Sequence, residues 1–409
     1  MKLIIASLSI CVVLSGALAW RLARRGDSEI FEQLRGFFAR QDGDEDSVAG
    51  IFFDSAPANA GWPVTVTAYP RLERLQLLRY RDSSGDVHPV NTAADWRRRR
   101  GEIVRGMEAV MGALPGKGRR VELGMKVEEE ASVGNYVRRL ITYQSEPGSR
   151  TPAYLCIPRE ALERKARVPA VLCLHPTDNQ VGPKVGVGLG GRRGRQYAAE
   201  LAARGYVTIS PAYPLLAAYQ PDLDKLGWKS GTLKAVWDNT RALDLLEKLP
   251  YVDASKGFGA IGHSLGGHNA IFTAVLDKRI SVLSSSCGFD AFPDYYAGAE
   301  GNWQAGRGWC QARYMPRLAG YRGRLESIPF DFPELLGALA PRPFFVNAPL
   351  RDSNFRSSSV DTCAAAARPV YRLLGAPGSL IIRHPDSDHD FPKDMREAAY
   401  RVLDSVLRK

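Results

Sequence analysis

Ser264 lies in the stretch FGAIGHSLGGHNAIF, which runs from Phe258 to Phe272. Within it, Gly262-His263-Ser264-Leu265-Gly266 fits the pattern G-x-S-x-G. The pattern alone decides little in a chain with 39 glycines, so its setting must carry the argument. FGAI before it reads as an apolar strand, and LGGHNAIFTAVLD after it reads as a helix. A serine on such a strand–turn–helix is set up as a nucleophile. The turn is tight enough to strain the serine backbone, and glycines on either side remove the Cβ atoms that would collide across it. The hydroxyl is lifted clear of the sheet. The N–H of Leu265 and the positive end of the following helix face the same space and can hold an oxyanion.

A serine hydroxyl needs a base, and the base needs an orienting carboxylate. On a strand–turn–helix of this kind the expected chain order is Ser, then Asp or Glu, then His. His384 and His389 lie well downstream, in IIRHPDSDHDFP. His384 ends a strand, whereas His389 is on the loop beyond, where a base can reach Ser264; His389 is the favoured base. The favoured acid is Asp352, on the exit loop of the strand RPFFVNAP. Asp290, after SSSCGF, is the runner-up, and Asp361 reads as a helix N-cap. The second oxyanion donor should come from the loop His175-Pro176-Thr177-Asp178. Pro176 has no N–H to give, so Thr177 is first choice and Asp178 second.

Other chemistry-bearing patterns carry less. Gly186, Gly188 and Gly191 satisfy G-x-G-x-x-G, but no strand precedes them directly and no acid follows about twenty residues on, so no dinucleotide site is expected. Asp386, Asp388 and Asp390 surround His389 without the glycine and distant glutamate of a calcium loop, and read as loop solvation or as tuning of the imidazole. No cofactor and no metal are expected. His263 and His268 read as structural. Between Phe289 and Pro333 the chain is rich in aromatics, including Tyr295, Tyr296, Trp303, Trp309 and Tyr314. The segment is too long for an ordinary loop. It reads equally as a cap offering flat faces to a sugar or aromatic group and as filler under a long excursion.

The elements that must position these groups follow from the hydrophobic rhythm. VPAVLCLH, YVTISPAY, GFGAIGHS, ISVLSSSCGF, RPFFVNAP and GSLIIRH are short apolar strands. Between them lie helices at GRQYAAELAARG, LKAVWDNTRALDLLEKLP, LGGHNAIFTAVLD and DTCAAAARPVYRLLG, and MREAAYRVLDSVLR closes the chain. That alternation implies an α/β fold with a doubly wound, mostly parallel sheet. Upstream, YVRRLITYQS and TPAYLCIP read as an antiparallel pair across EPGSR, and TAADWRRRRGEIVRGMEAVMGAL as a helix capped by Asp95. The expected organisation is a leader at 1–19, an N-terminal mixed extension at 20–150 and a catalytic domain at 151–409.

Composition is globular, with 45% hydrophobic and 24% charged residues. The formal net charge is +11, yet the arginine runs at Arg97–Arg100 and Arg192–Arg195 sit in no nucleic-acid-binding context and read as a solvated helix face and a basic loop. Lys2, the apolar run to Ala19 and its Ala17-Leu18-Ala19 ending describe a secretory signal, which predicts an extracytoplasmic protein. Arg21, Arg24 and Arg25 directly after the run leave an uncleaved anchor at residues 3–20 as the alternative, the only route to a membrane. The cysteines, Cys11, Cys156, Cys173, Cys287, Cys310 and Cys363, form no C-x-x-C pair. Cys156 and Cys173 read as core residues, and one disulfide is compatible with the spacing.

From about residue 75 to the end, the elbow, LHPTDN, APRPFFVNAPLRD and HPDSDHDFP together resemble the dienelactone-hydrolase and acetylxylan-esterase-like branch of the α/β-hydrolase superfamily, in its secreted bacterial form. The resemblance implies cofactor-free ester hydrolysis through Ser264, His389 and Asp352, with a small-molecule or carbohydrate ester, such as an acetylated sugar, as substrate. It departs from the small dienelactone hydrolases at the nucleophile, which is cysteine there and serine here. Two rivals remain: a serine peptidase on the same fold, and a catalytically silent envelope-binding protein.

Overall fold

Short apolar strands can be buried on both faces only if helices cover both. The computed structural model describes residues 71–163 and 167–408, and its described residues belong to one compact unit. The leader expected at 1–19 and Cys11 lie outside the described residues. A small antiparallel hairpin, β1 (Arg79–Arg81) and β2 (Val87–Pro89), precedes helix α1 (Ala93–Met111). Three antiparallel strands follow: β3 (Lys126–Val133), β4 (Tyr136–Glu146) and β5 (Ser149–Pro158). A short helix, α2 (Arg159–Glu163), leads into the parallel part. Its strands are β6 (Ala170–Leu174), β7 (Val207–Pro211), β8 (Phe258–His263), β9 (Ile280–Ser286), β10 (Phe344–Asn347) and β11 (Leu380–Arg383). Intervening and terminal helices are α3 (Tyr197–Ala203), α4 (Gly231–Lys248), α5 (Leu265–Leu276), α6 (Phe332–Leu339), α7 (Ser357–Leu373) and α8 (Lys393–Leu407).

All strands from β3 onward form one nine-stranded sheet in the order β11-β10-β9-β8-β6-β7-β5-β4-β3. Strands β6 to β11 are parallel to their neighbours, and β5 joins β7 antiparallel. Side chains alternate between the faces. Leu172 and Leu174 enter the core that also holds residues of α1, α4, α5, α6 and α7, whereas Val171 and Cys173 enter the core formed with α3 and α8. The doubly wound, mostly parallel sheet expected from the sequence is present.

Several local expectations change. Residues 71–150 are not a separate extension. The boundary expected at 150/151 cuts the β4–β5 ladder, and Trp96, Ile103 and Met107 of α1 lie in the main core. The α1 cap is Thr92, whose side chain accepts from the N–H of Asp95, while Asp95 reaches back to the N–H of Thr92; Asp95 is the other half of a capping box. Asp361 lies inside α7 and pairs with His384, so it is no cap. The run Arg97–Arg100 is not wholly solvated. Arg99 is buried against Glu334 of α6, and Arg100 binds the Ala338 carbonyl, because α1 packs on α6. Cys156, Cys173, Cys287, Cys310 and Cys363 are all free and buried. No helix of the described residues is long and apolar enough to cross a membrane.

Helix α4 is buried along most of its length and carries charge inside. Lys234, wholly buried, binds Asp238 Oδ1 at 2.6 Å and Glu146 Oε1 at 2.9 Å. Burial pulls its pKa down, but Asp238, Tyr219 and Glu146 together hold it above the usual lysine value. One turn on, Asn239 donates to Asn269 Oδ1 and Thr273 Oγ1 of α5, tying α4 to the helix that follows Ser264. Removing one member of a buried ion pair strands the rest. Lys234→Met is therefore expected to lose about 3–5 kcal/mol of stability, read from the shift of the urea midpoint; a shift near zero would show that the two carboxylates are satisfied without the lysine.

Candidate active site

The parallel strands end in register, and that edge builds the site. His263 pairs with Ser286, Ser286 with Asn347, and Gly262 with Leu174, so β6, β8, β9 and β10 finish on one line. The chain runs from β6 to β7 on one side and returns to β8 on the other. Ligands of open α/β sheets bind outside the carboxyl ends at such a reversal. Ser264 and the loop holding Thr177 flank it.

Ser264 has φ 52° and ψ −122°, a strained conformation for a residue with a side chain. Two close approaches fix the turn. A Cβ on Gly262 would lie 2.2 Å from the Gly266 carbonyl carbon, and one on Gly266 would lie 1.9 Å from the Leu174 carbonyl oxygen. The second contact seats the first turn of α5 directly on the start of the 175–178 loop. Leu265 is the first residue of α5, so its N–H has no intrahelical acceptor. The Ser264 N–H donates to the Ser286 carbonyl at 2.8 Å and holds the turn to β9.

His389 Nδ1 lies 2.9 Å from Asp352 Oδ1. Against a carboxylate this nitrogen must carry the proton, which leaves Nε2 bare and able to accept one. Nε2 is buried and has no hydrogen-bond partner among the described residues. The His389 ring lies 4.9 Å, centroid to centroid, from that of His263, the neighbour of Ser264. Asp352 Oδ1 also accepts from the N–H groups of Asn354 (2.8 Å) and Phe355 (3.2 Å). Burial opposes ionisation of Asp352, but the His389 bond and these donors hold its carboxyl below the usual range.

The lower-ranked candidates have other partners. His384 Nδ1 donates to the Ala348 carbonyl, and its Nε2 meets Asp361. Asp290 accepts from the Arg356 N–H and does not meet His389. Its carboxyl is buried, and desolvation pushes its pKa up to about 8. Asp178 caps its own loop by accepting from the N–H groups of Gln180 and Val181. Thr177 lies in the same loop, with its Oγ1 3.4 Å from Tyr314 Oη. His175 anchors the loop: Nδ1 donates to the Pro176 carbonyl and Nε2 accepts from the Tyr213 N–H, with burial lowering its pKa to about 4. Asp386 and Asp388 are exposed and pair with Arg351. Asp390 pairs with Arg195. Cys287, Asp352 and His389 bring potential metal-ligand atoms within 4.8 Å of one another, but the same imidazole and carboxylate are engaged with each other.

His263 and His268 are both buried. Burial holds His263 well below the usual histidine value, and its Nδ1 meets Ser286 Oγ at 2.9 Å. His268 is enclosed between Phe272 and Trp309, 4.3 and 4.4 Å away. The aromatic insertion divides in two. Trp303 is core, edge-on to Phe292. Trp309 bridges Phe355, which packs on His389, and Tyr314, which touches Thr177. Sequence reasoning missed Arg195, Ser286, Cys287 and Asn347. None belongs to a motif, and strand register alone brings Ser286 and Asn347 to the site.

Two measurements test this geometry. Gly266→Ala cannot keep the elbow against Leu174, so it is expected to abolish modification of Ser264 by a fluorophosphonate; undiminished labelling would refute the close contact. Asp290 keeps its proton in the folded state up to about pH 8, whereas an unfolded aspartate loses it near 3.8. The folded state thus binds the extra proton, and stability falls as pH rises between those values. Asp290→Asn removes this slope. Its denaturation midpoint should gain on wild type between pH 5 and pH 8, and parallel profiles would refute the buried neutral carboxyl.

A family model described as "Glucuronyl esterase, fungi" matches residues 225–375, which takes in Ser264 and Asp352 and stops short of His389. No curated protein matches the chain. Among solved structures, a glucuronoyl esterase from Solibacter usitatus is similar at 21% identity and TM-score 0.64, over 84% of this chain and 99% of that one. The glucuronoyl esterase catalytic domain from Hypocrea jecorina is similar at 17% identity and TM-score 0.57, over 85% and 92%. A putative acetyl xylan esterase from Bacteroides fragilis is similar at 17% identity and TM-score 0.50, over 72% and 76%. At these identities the likeness is one of fold, and it agrees with the strand order and the elbow: the chain has the α/β-hydrolase fold that these carbohydrate esterases share.

Proposed function

We propose that the protein is a serine esterase that hydrolyses a carbohydrate ester, with uronoyl esters ahead of acetyl esters. The observation that carries the chemistry is the pairing of His389 Nδ1 with Asp352, with the His389 ring packed on His263, the residue before a strained Ser264; it leaves Nε2 as the ring nitrogen able to take a proton. The uronoyl preference is supported by the glucuronyl esterase family match and by the glucuronoyl esterases among the similar folds. In this mechanism His389 Nε2 removes the Ser264 proton as the hydroxyl oxygen attacks the ester carbonyl. The N–H groups of Leu265 and Thr177 hold the oxyanion, aided by the positive end of α5; one such donor is worth about 3–4 kcal/mol. Asp352 keeps the imidazole in the right tautomer and stabilises its charged form. His389 returns the proton to the leaving alcohol, and water, activated by the same nitrogen, clears the acyl-enzyme. No step needs a cofactor. Phe355, Trp309 and Tyr314 pack in series as an aromatic wall between base and oxyanion loop.

Wild type is expected to take up one fluorophosphonate by intact mass and Ser264→Ala none. Ser264→Ala should lose at least about 10⁴-fold in kcat, and Asp352→Asn on the order of 10³–10⁴-fold. A panel of methyl and benzyl glucuronates, acetylated xylose and an aminoacyl anilide separates the substrate classes. Preference for the anilide would favour a peptidase. An unlabelled, correctly folded wild type would favour a silent binding protein.

A further inference from the structure

Three buried side chains with no part in the reaction converge on the backbone that carries His389. The His389 carbonyl accepts from Arg195 Nη2 at 3.3 Å, the Asp390 carbonyl from Asn347 Nδ2 at 2.9 Å, and the Phe391 carbonyl from Arg396 Nη1 at 2.7 Å. Three consecutive carbonyls are thus held by three separate parts of the fold: the loop before α3, the end of β10 and helix α8. Asn347 also donates to Ser286 Oγ, which meets His263, so its place is set by strand register.

Arg195 differs from the other two because it grips twice. Its Nη1 binds Asp390 Oδ1 at 2.6 Å while Nη2 reaches the His389 carbonyl. The run Arg192–Arg195 reads as a basic loop, yet only Arg192 and Arg193 of it are exposed; Arg195 is 2% exposed. A guanidinium is costly to bury unless it is paired. Here its pairing goes to the residue proposed as base and to the next residue along. Burial works against ionisation of Asp390, and the bond to Arg195 keeps its carboxyl below the usual range. The geometry of a base over its nucleophile tolerates little error: a displacement of 1 Å costs about 100-fold in rate.

We propose that Arg195 is a positioning residue for His389: its two-point grip on the His389 carbonyl and the Asp390 carboxylate fixes where the imidazole stands over Ser264. The proposal rests on the reading of Ser264 and His389 as nucleophile and base. The test is steady-state hydrolysis of 4-nitrophenyl acetate by wild type, Arg195→Ala, Arg195→Lys and Asp390→Asn, with fluorophosphonate uptake measured on each. Arg195→Ala should lower kcat about 10–100-fold with KM within about twofold. Added guanidinium chloride, at concentrations below the onset of unfolding, should restore much of that loss by filling the vacated site. An ordinary structural ion pair would move the denaturation midpoint without that split or that rescue. A folded Arg195→Ala with kcat within about twofold of wild type overturns the proposal, as does a loss that neither guanidinium nor lysine recovers. If Arg195→Ala does not fold, Asp390→Asn decides: a kcat loss of about tenfold at constant KM supports the grip, and an unchanged kcat overturns it. Wild type that takes up no fluorophosphonate overturns the triad reading and the proposal together, whereas labelled wild type with a fully active Arg195→Ala overturns the grip alone.

Discussion

The approach of Gly266 to the Leu174 carbonyl is the constraint on which the site depends. No side chain fits there, since a Cβ would stand 1.9 Å from that oxygen. The contact seats the start of α5 on the end of β6. It thereby brings the Leu265 N–H beside the loop that begins at His175, and it forces Ser264 into its positive φ. The strain, of order 1–3 kcal/mol, is held by the buried strands on either side and by the Asn239 bridges from α4.

Around that fixed point the protein uses buried polarity to hold loops that carry no regular structure of their own. His175 pins the 175–178 loop through both ring nitrogens. Asp352 is held by two backbone donors before it meets the imidazole. The histidine loop is held through three successive carbonyls. Hydrophobic packing sets where helices lie but is non-directional, so it cannot orient an imidazole to a fraction of an ångström. Hydrogen bonds from buried donors can, because they are directional and costly to break away from water. The insertion between β9 and α6 serves both ends: Trp303 fills core, while Trp309 and Tyr314 span from the Phe355–His389 side to the Thr177 loop.

The parallel sheet, the strand–turn–helix at Ser264 and the pairing of His389 rather than His384 with Asp352 were legible because each rests on local pattern. Apolar runs of strand length bounded by glycine and proline mark β6 to β11, and a serine between two glycines at a strand–helix junction marks the turn. Loop position after β10 ranks Asp352 ahead of Asp290, and the structure turns Asp352 to His389 and Asp290 to the Arg356 N–H. The cap at Thr92 was missed by one turn because threonine and aspartate both favour that position, and the box uses them reciprocally.

The sequence by itself determined the order of elements, the tight turn that carries Ser264, and the set of loop histidines and carboxylates from which candidates are drawn, since periodicity and tight-turn chemistry act within a few residues. Tertiary structure alone decided which charges are buried and what they hold. Arg192 and Arg195 have the same side chain three residues apart, yet one is exposed and the other binds the carbonyl of His389, 194 positions away. No local pattern can distinguish them. The difference is set by which elements the sheet register brings together, and burial then makes an arginine either an ordinary surface cation or a fixed strut.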